Sequence, residues 1–243
     1  MSSSSTARAR ARAELTQEIV DIARGQLATS GAAGLSLRAV AREMGMVSSA
    51  LYRYFPSRDD LLTRLIIDGY DAVGEAVERS DAAVDPEDVA GRLVAVCHAV
   101  RTWALAHPHE YALLHGSPVP GYSAPQDTVG PAVRDTVVLG RIIGDAWASG
   151  RLVLPDGDLP AGSPLADDLD VVREMMPGVP AAVVVRAVAL WATLYGMVSF
   201  EVFGTLDNVV RERDALFDHT VRGLVAWIGL RADGRGDGVG GAA

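Results

Sequence analysis

The sequence predicts an all-α protein in which three short N-terminal helices precede a larger helical domain. Three observations favour this fold class. Apolar residues recur at helical spacing through residues 14–66, a glycine separates the second helix from the third, and the later apolar stretches are divided by two Pro- and Gly-rich segments, 116–131 and 150–180. With 243 residues, the chain has room for one large domain or two small ones.

The first predicted element is a helix preceded by a flexible arm. Residues 1–13 are Ser-rich and then alternate Ala with Arg, so we expect a flexible basic arm that carries Arg8, Arg10 and Arg12. The helix that follows has apolar residues at helical spacing, namely Leu15, Ile19, Ile22, Ala23 and Leu27. Gly31 and Gly34 predict its end.

The second and third helices are short and are separated by Gly45. Ser36 is placed to cap the second helix, and Ser48 is placed to cap the third. Pro56 cannot continue the third helix, which therefore ends before it. Three short helices with a Gly-containing turn between the second and third form a helix-turn-helix.

The remaining chain is also predicted to be helical. Ser57 and Asp60 resemble a capping box at the start of the fourth helix. Helical spacing predicts five further stretches, at 87–106, 109–116, 131–149, 180–203 and 208–229. The segment 150–180 is long for a loop in a compact domain, so we expect local structure or mobility there. Residues 231–243 are Gly-rich and predict a disordered tail.

Charge is distributed unevenly along the chain. The formal net charge is −9. Residues 1–64 hold nine Arg against six Asp and Glu, a balance of +3, whereas residues 65–243 hold 13 Arg against 25 acidic residues, a balance of −12. The N-terminal part is therefore suited to approaching a polyanion, and the remainder is not.

The third helix presents small and polar residues. Those predicted to face solvent are Ser48, Ser49, Tyr52 and Arg53. Small residues at the start of a recognition helix permit close approach to the DNA major groove, and Tyr hydroxyls and arginines suit phosphate oxygens. For a single residue, the simpler interpretation is that Tyr54 and Phe55 are core and Arg53 is only solvated. The complete set favours DNA recognition.

Four stretches of the N-terminal region agree in residue type and spacing with one known family. They are SLRAVA at 36–41, MG at 44–45, ALYRYF at 50–55 and SRDDLL at 57–62. Together they resemble the tetracycline-repressor (TetR) family of bacterial transcription regulators. The resemblance implies a DNA-binding domain at 14–62, homodimers with two recognition helices in successive major grooves, and a helical domain at 63–230 for dimerisation and for binding a small effector that lowers operator affinity. Repression is the usual role in this family.

The resemblance also assigns DNA-contacting positions. Those near the bases are Arg38, Val47, Ser48, Ser49, Ala50 and Arg53. Those that contact phosphates are Ser36, Tyr52, Tyr54 and Arg58. The arginines of the arm suit a flanking minor groove, and plain disorder of the arm is the alternative.

The C-terminal part resembles one TetR subgroup, named for a Trp-His-Gly motif. The stretches that carry this resemblance are AHPHEYALLHGSPVPGYSAP at 106–125 and WATLYGMVSFEVFG at 191–204. Trp191 and Gly196 match the motif, whereas Tyr195 stands where the subgroup often has His.

The helices predicted at 180–203 and 208–229 are candidates for a dimer interface. The first is apolar nearly all round, which is typical of a helix buried on every side. Its uncharged stretch, 187–200, is shorter than the roughly 20 residues of a membrane span, so no membrane segment is expected. Two helices from each subunit would form a four-helix interface, and an ordinary intramolecular core is the alternative.

Bulky side chains with polar tips are candidates for an effector pocket between the central helices. They are Trp103, His107, Tyr111, His115, Tyr122, Trp147, Trp191 and Tyr195. Such groups suit a largely apolar pocket with a few orienting polar atoms, and plain core packing is the alternative for each. The segment 116–131 is the expected gate.

Enzymatic classes are disfavoured. The zinc-protease pattern needs two His four residues apart with Glu after the first, whereas here Glu110 follows His109 and the next His is six residues on. We therefore expect no catalytic residue, metal ligand or cofactor. A helical protein-interaction module would use the same helices but would not need the charge asymmetry. The single Cys97 and the lack of a signal peptide predict a cytoplasmic protein.

Overall fold

The computed structural model describes residues 3–153 and 163–230, and this part of the chain is α-helical. Within it, the only β-type pairing is an isolated antiparallel bridge between Leu152 and Leu230. The predicted all-α fold is therefore confirmed. The disordered tail predicted at 231–243 lies outside the described residues.

The N-terminal region contains α1 (Ser3–Ser30), α2 (Leu37–Glu43), α3 (Ser48–Leu51) and α4 (Arg58–Ala82). The Ser36 hydroxyl accepts a hydrogen bond from the Ala39 N–H at 3.4 Å, which confirms the predicted cap of α2. The Ser57 hydroxyl accepts from the Asp60 N–H at 3.1 Å and donates to the Asp60 carboxylate at 2.7 Å, as the predicted capping box requires. These short-range bonds fix where α2 and α4 begin.

Two features of this region differ from expectation. The helix α1 begins at Ser3, so the three arginines expected in a flexible arm lie on a helix. Ala and Arg have high helix propensity, and extending an existing helix needs no new nucleation. The cap position of α3 is occupied by Val47, because Ser48 is already the first residue of that helix.

Eight further helices follow among the described residues. They are α5 (Val89–Ala106), α6 (Pro108–His115), α7 (Val129–Ala132), α8 (Arg134–Ala148), α9 (Pro164–Asp168), α10 (Asp170–Arg173), α11 (Ala181–Val202) and α12 (Arg213–Ile228). The single helix predicted at 131–149 is divided at Val133, where Gly130 and Pro131 weaken the preceding turn. The helices α9 and α10 supply the local structure expected within 150–180.

The chain divides into two compact units. The first holds residues up to Ala72 together with Ala106–Ala132, and the second holds Val73–Leu105 and the residues from Val133 onward. This division differs from the continuous domain expected at 63–230, because Leu113, Leu114, Val119 and Tyr122 pack against the core of the helix-turn-helix.

The core of the first unit positions the helix-turn-helix. Its fully buried residues come from each of the first four helices, and they include Ile19, Val20, Val40, Leu51, Leu61 and Leu62. Full burial of such a side chain contributes roughly 1.5–3 kcal/mol. The short α3 is therefore held by Leu51 against α1, α2 and α4 rather than by its own helical stability.

The second unit contains a buried ion pair between two of its longest helices. Both α5 and α11 are long and apolar enough to resemble membrane-spanning helices by length and composition. Arg101 of α5 nevertheless donates two hydrogen bonds of 2.7 Å to Glu201 of α11, and both side chains are nearly buried. This pairing is typical of helices packed within a folded unit.

Removing Arg101 should destabilise the second unit strongly. We expect Arg101→Met to lower the free energy of unfolding by about 3–5 kcal/mol, because the nearly buried Glu201 loses its main partner. The matched control is Arg79→Met, which removes an exposed pair with Glu75 and should cost about 0–1 kcal/mol. Urea unfolding measures both, and equal effects of the two variants would contradict this interpretation.

Candidate functional site

The turn before α3 depends on Gly45. This residue has a φ of 67°, in the left-handed region that favours glycine. The turn is closed by a 2.8 Å hydrogen bond from the Met46 N–H to the Ala41 carbonyl. The chain therefore reverses within a few residues, and α3 begins immediately after it.

The structure places the predicted DNA-contacting residues on and around α3. Of the base-proximal candidates, those exposed are Arg38, Val47, Ser49 and Arg53, whereas Ser48 and Ala50 are half-buried. Of the phosphate-contacting candidates, Tyr52 is exposed and the half-buried ones are Ser36, Tyr54 and Arg58. Tyr54 also packs against the core that contains Phe55. For these two residues, the alternative interpretation as core side chains therefore applies.

The basic end of α1 contacts the segment that follows α3. Arg12 donates a 3.1 Å hydrogen bond to the carbonyl of Arg53. Its guanidinium also lies 5.1 Å from the centre of the Tyr54 ring, within the range of a cation–π interaction. Arg12 is thus fixed beside two candidate DNA-contacting residues. No local sequence pattern indicates this contact.

Arg58 bonds to the backbone before α2. Its guanidinium donates to the Ala32 carbonyl at 2.8 Å and to the Leu35 carbonyl at 3.1 Å. These bonds join the start of α4 to the connection between α1 and α2. In this arrangement Arg58 supports the helix-turn-helix, and a phosphate contact by it stays a prediction.

A cavity of about 210 Å³ lies within the second unit. The helix α8 contributes Thr136, Leu139, Gly140 and Ile143 to its wall. The helix α11 contributes Ala187, Val188, Leu190 and Trp191, and the segment around α10 contributes Val172, Met175 and Met176. A side chain at Gly140 would place its Cβ 3.2 Å from the Met175 carbonyl oxygen, so glycine permits the close approach of these two walls.

Trp191 is the only predicted effector residue among those described around this cavity. His107, Tyr111 and His115 belong to the first unit. There the buried Tyr111 ring lies 4.8 Å from the His115 ring, and burial lowers the pKa of His115 to about 4. His115 is therefore neutral near pH 7, as expected for a histidine used in packing.

The remaining candidates lie in the second unit, apart from Tyr122, whose hydroxyl bonds to that of Thr63 in the first at 2.8 Å. Trp103 is buried and Trp147 is half-buried, and neither lines the cavity. Residues 116–131, the expected gate, contribute nothing to its described wall.

The Tyr195 hydroxyl donates a hydrogen bond to the carboxylate of Asp135. Asp135 precedes the cavity residue Thr136 on α8, and Tyr195 lies one turn beyond the cavity residue Trp191 on α11. This bond therefore joins the two helical walls beside the cavity. Burial raises the pKa of Asp135, and the hydrogen bond from Tyr195 opposes that effect.

The helix α8 also contacts the C-terminal half of α4. Arg134 donates two hydrogen bonds, of 3.0 and 2.7 Å, to the Glu78 carboxylate. Arg141 donates one of 2.6 Å to Asp81, which also accepts two hydrogen bonds from Arg92 of α5. One helix thus lines the cavity with some residues and binds α4 with others.

The stability of the protein should depend on Asp135 in acid. A carboxyl group with a raised pKa binds its proton more tightly in the folded state than in the unfolded chain. Its protonation therefore stabilises folding as the pH falls towards the ordinary Asp pKa, and this contribution is lost as the pH rises. We therefore compare the unfolding free energy of wild type with that of Asp135→Asn. The excess of the wild-type value over the variant value should grow as the pH falls from about 7 to about 4.

Tyr195→Phe provides the companion measurement. It removes the hydrogen bond that opposes the rise in the Asp135 pKa, so the acid dependence of stability should become steeper. Denaturant unfolding at several pH values measures both variants. If the difference in unfolding free energy between wild type and Asp135→Asn does not change with pH, the raised pKa of Asp135 is contradicted.

Comparison with known proteins places the chain in a family. Residues 19–65 match the family model for "Bacterial regulatory proteins, tetR family". Residues 93–224 match the family model for "Tetracyclin repressor-like, C-terminal domain". The HTH-type transcriptional regulator Rv1816 of Mycobacterium tuberculosis is 41% identical over 220 residues, which cover 89% of this chain and 93% of that protein.

Solved structures agree with this placement. The regulatory protein SCO4313 has a TM-score of 0.73 and 36% identity, over 89% of this chain and 98% of that chain. RolR, solved in complex with resorcinol, has a TM-score of 0.52 at 14% identity over 92% of both chains, which shows the fold alone. The chain therefore belongs to the TetR family of helix-turn-helix transcriptional regulators.

Proposed function

We propose that the protein is a ligand-responsive repressor that binds a palindromic DNA operator as a homodimer and is released by a small apolar effector. The observation that carries this proposal is the arrangement of α8, which lines an apolar cavity and is bonded to α4, the helix that begins at the helix-turn-helix. The proposal assigns the protein to the cytoplasm and assigns it no catalytic reaction.

DNA binding is proposed to use α3 and the residues around it. The exposed Ser49 and the half-buried Ala50 are small enough to let α3 approach the floor of the major groove. Arg38, at the start of α2, is exposed and suited to a base edge. Tyr52 is exposed at the end of α3, and the Arg12 guanidinium of α1 contacts Arg53 and Tyr54 of the same segment. Both side chains suit phosphates.

The dimer is proposed to form through α11 and α12. In the single chain, α11 leaves a row of residues exposed at helical spacing, which are Ala192, Gly196 and Phe200. The helix α12 likewise exposes Ala215, Gly223 and Ala226. Small residues on exposed helix faces permit a second pair of helices to approach closely, and an exposed apolar surface marks an interaction site.

Effector release is proposed to act through α8. A ligand that widens the space between α8 and α11 displaces Arg134 and Arg141, whose partners Glu78 and Asp81 lie on α4. Effector binding must favour one α8 position over another, since a ligand with equal affinity for both would release nothing. The resorcinol in the RolR structure supports a small, ring-shaped effector for this fold.

Membership of the Trp-His-Gly subgroup is also proposed. It rests on Trp191 and Gly196, which are both exposed on α11. In this chain the intervening Tyr195 uses its hydroxyl to bond Asp135, a role that a His ring would fill with different reach and charge.

Substitutions around α3 test the DNA proposal. Selection from a random duplex library should yield a palindrome with half-sites about one helical turn or more apart. Arg38→Ala should alter the preferred sequence, with about 1–3 kcal/mol lost for a well-made base contact. Tyr52→Phe should weaken binding to all sequences alike, because a phosphate contact carries no sequence information.

Fluorescence anisotropy with labelled duplexes measures these effects. The control is Arg79→Ala, which removes an exposed arginine of α4 outside the proposed DNA-binding and dimer surfaces and should leave affinity and preference unchanged. Unaltered binding by the Arg38→Ala, Tyr52→Phe double variant would count against the assigned surface.

A charge on α11 tests the dimer. Phe200 is 53% exposed in the single chain, so Phe200→Asp should leave the monomer folded while burying an unpaired carboxylate in the interface. We expect sedimentation to show a change from dimer to monomer. Val209→Asp, at a site 72% exposed in the turns between α11 and α12, is the matched control and should stay dimeric. A folded wild-type monomer at micromolar concentration would make the interface proposal wrong.

A further inference from the structure

The wall of the α8–α11 cavity restricts the charge of any ligand. Its lining side chains are aliphatic groups, two thioethers, the hydroxyl of Thr136 and the indole of Trp191, and none of the described lining residues is ionisable. An ion placed there would lose its hydration without gaining a partner, which costs far more than the transfer of a neutral group. The nearest carboxylate along the chain, Asp135, is already bonded to Tyr195.

Polar contacts within the cavity are few. Thr136 is the one lining residue with a hydroxyl among those described, and this hydroxyl donates to the Val133 carbonyl at 2.8 Å. It can therefore act towards a ligand only as an acceptor. Trp191 adds an indole N–H. These groups suit one weakly polar substituent rather than a sugar or a peptide.

The volume sets the size of the ligand. A cavity of about 150 Å³ lined by Leu, Ile and Phe is known to bind benzene. The present cavity of about 210 Å³ has room for one substituted ring or a compact pair of rings. Met175 and Met176 form one wall, and their unbranched, polarisable side chains adapt to ligands of different outline. Trp191 is 42% exposed, so the cavity is reached from solvent beside it.

We infer that the effector is a neutral, largely apolar molecule of one or two rings, and that the cavity discriminates against carboxylates and ammonium-type ions. The role of this molecule as an effector rests on the proposed function, whereas its binding at this cavity does not.

Three molecules of one shape test the inference. Nitrobenzene, benzoate and benzamidinium share a planar ring with a planar three-atom substituent, and they carry charges of zero, −1 and +1. Calorimetry with the full chain and no DNA should show nitrobenzene binding about tenfold or more tightly than either ion, because only the ions lose charge hydration. Equal or tighter binding of either ion, or no binding of nitrobenzene up to its solubility limit, would overturn the inference.

A pair of variants on α8 places the binding site. Leu139→Trp fills the cavity and should reduce nitrobenzene affinity at least about tenfold. Val137→Trp introduces the same side chain two residues away, at an exposed position outside the described wall, and should leave affinity unchanged. Equal affinity in the two variants would exclude this cavity as the site. Circular dichroism checks that both variants fold. The comparison of the three molecules uses only the wild-type chain, so it stands even if a variant does not fold.

Operator release separates this inference from the proposed function. The same titrations are repeated with labelled operator present. Nitrobenzene that binds the cavity but leaves operator affinity unchanged would contradict effector release and leave the ligand class standing. Benzoate is the opposite case. If benzoate releases the operator but does not compete with nitrobenzene for binding, the inference that the effector is a neutral molecule would be overturned.

Discussion

The position of α4 depends on the pairing of one buried carboxylate. Asp81 is only 5% exposed, and Arg92 of α5 and Arg141 of α8 both donate hydrogen bonds to it. Burial alone would raise the pKa of Asp81, but the hydrogen bonds from the two arginines lower it below its ordinary value. An unpaired charge at this depth is strongly destabilising, so the end of α4 must stay in contact with α5 and α8 while the unit is folded. Arg141 lies on α8, so this contact joins the helix that lines the cavity to α4.

Short-range features of the fold could be predicted from the sequence, whereas long-range ones could not. The cap of α2 and the capping box of α4 involve residues three apart, and both were predictable from residue type alone. The bond between Asp81 and Arg141 spans 60 residues, and nothing in the local sequence distinguishes these two from other surface charges. The helical N-terminus of α1 was missed because Ser-rich, Arg-rich composition also favours disorder, and the contact between Arg12 and Arg53 is visible only in three dimensions.

The candidate DNA-binding surface was more predictable than the ligand cavity for a chemical reason. DNA contact requires exposed Arg, Tyr and small residues in a fixed order, and that order is visible in the sequence. The cavity is lined mainly by Leu, Ile, Val, Met and Ala, which are the residues of any helical core. Two of the predicted effector residues, Tyr111 and His115, pack against each other in the first unit instead. An absence of packing atoms, rather than a residue type, defines such a cavity, and sequence patterns carry little information about it.

The two sets of residues on α8 have a consequence for how such a protein changes over evolutionary time. Leu139, Gly140 and Ile143 determine what the cavity can hold, whereas Arg134 and Arg141 determine what α8 holds in place. Exchanges among aliphatic residues in the first set alter the shape of the cavity at modest energetic cost and leave the arginines untouched. Under the proposed function, a descendant gene can therefore acquire recognition of a new compound through one or two conservative substitutions, while the contacts of α8 with α4 are inherited unchanged.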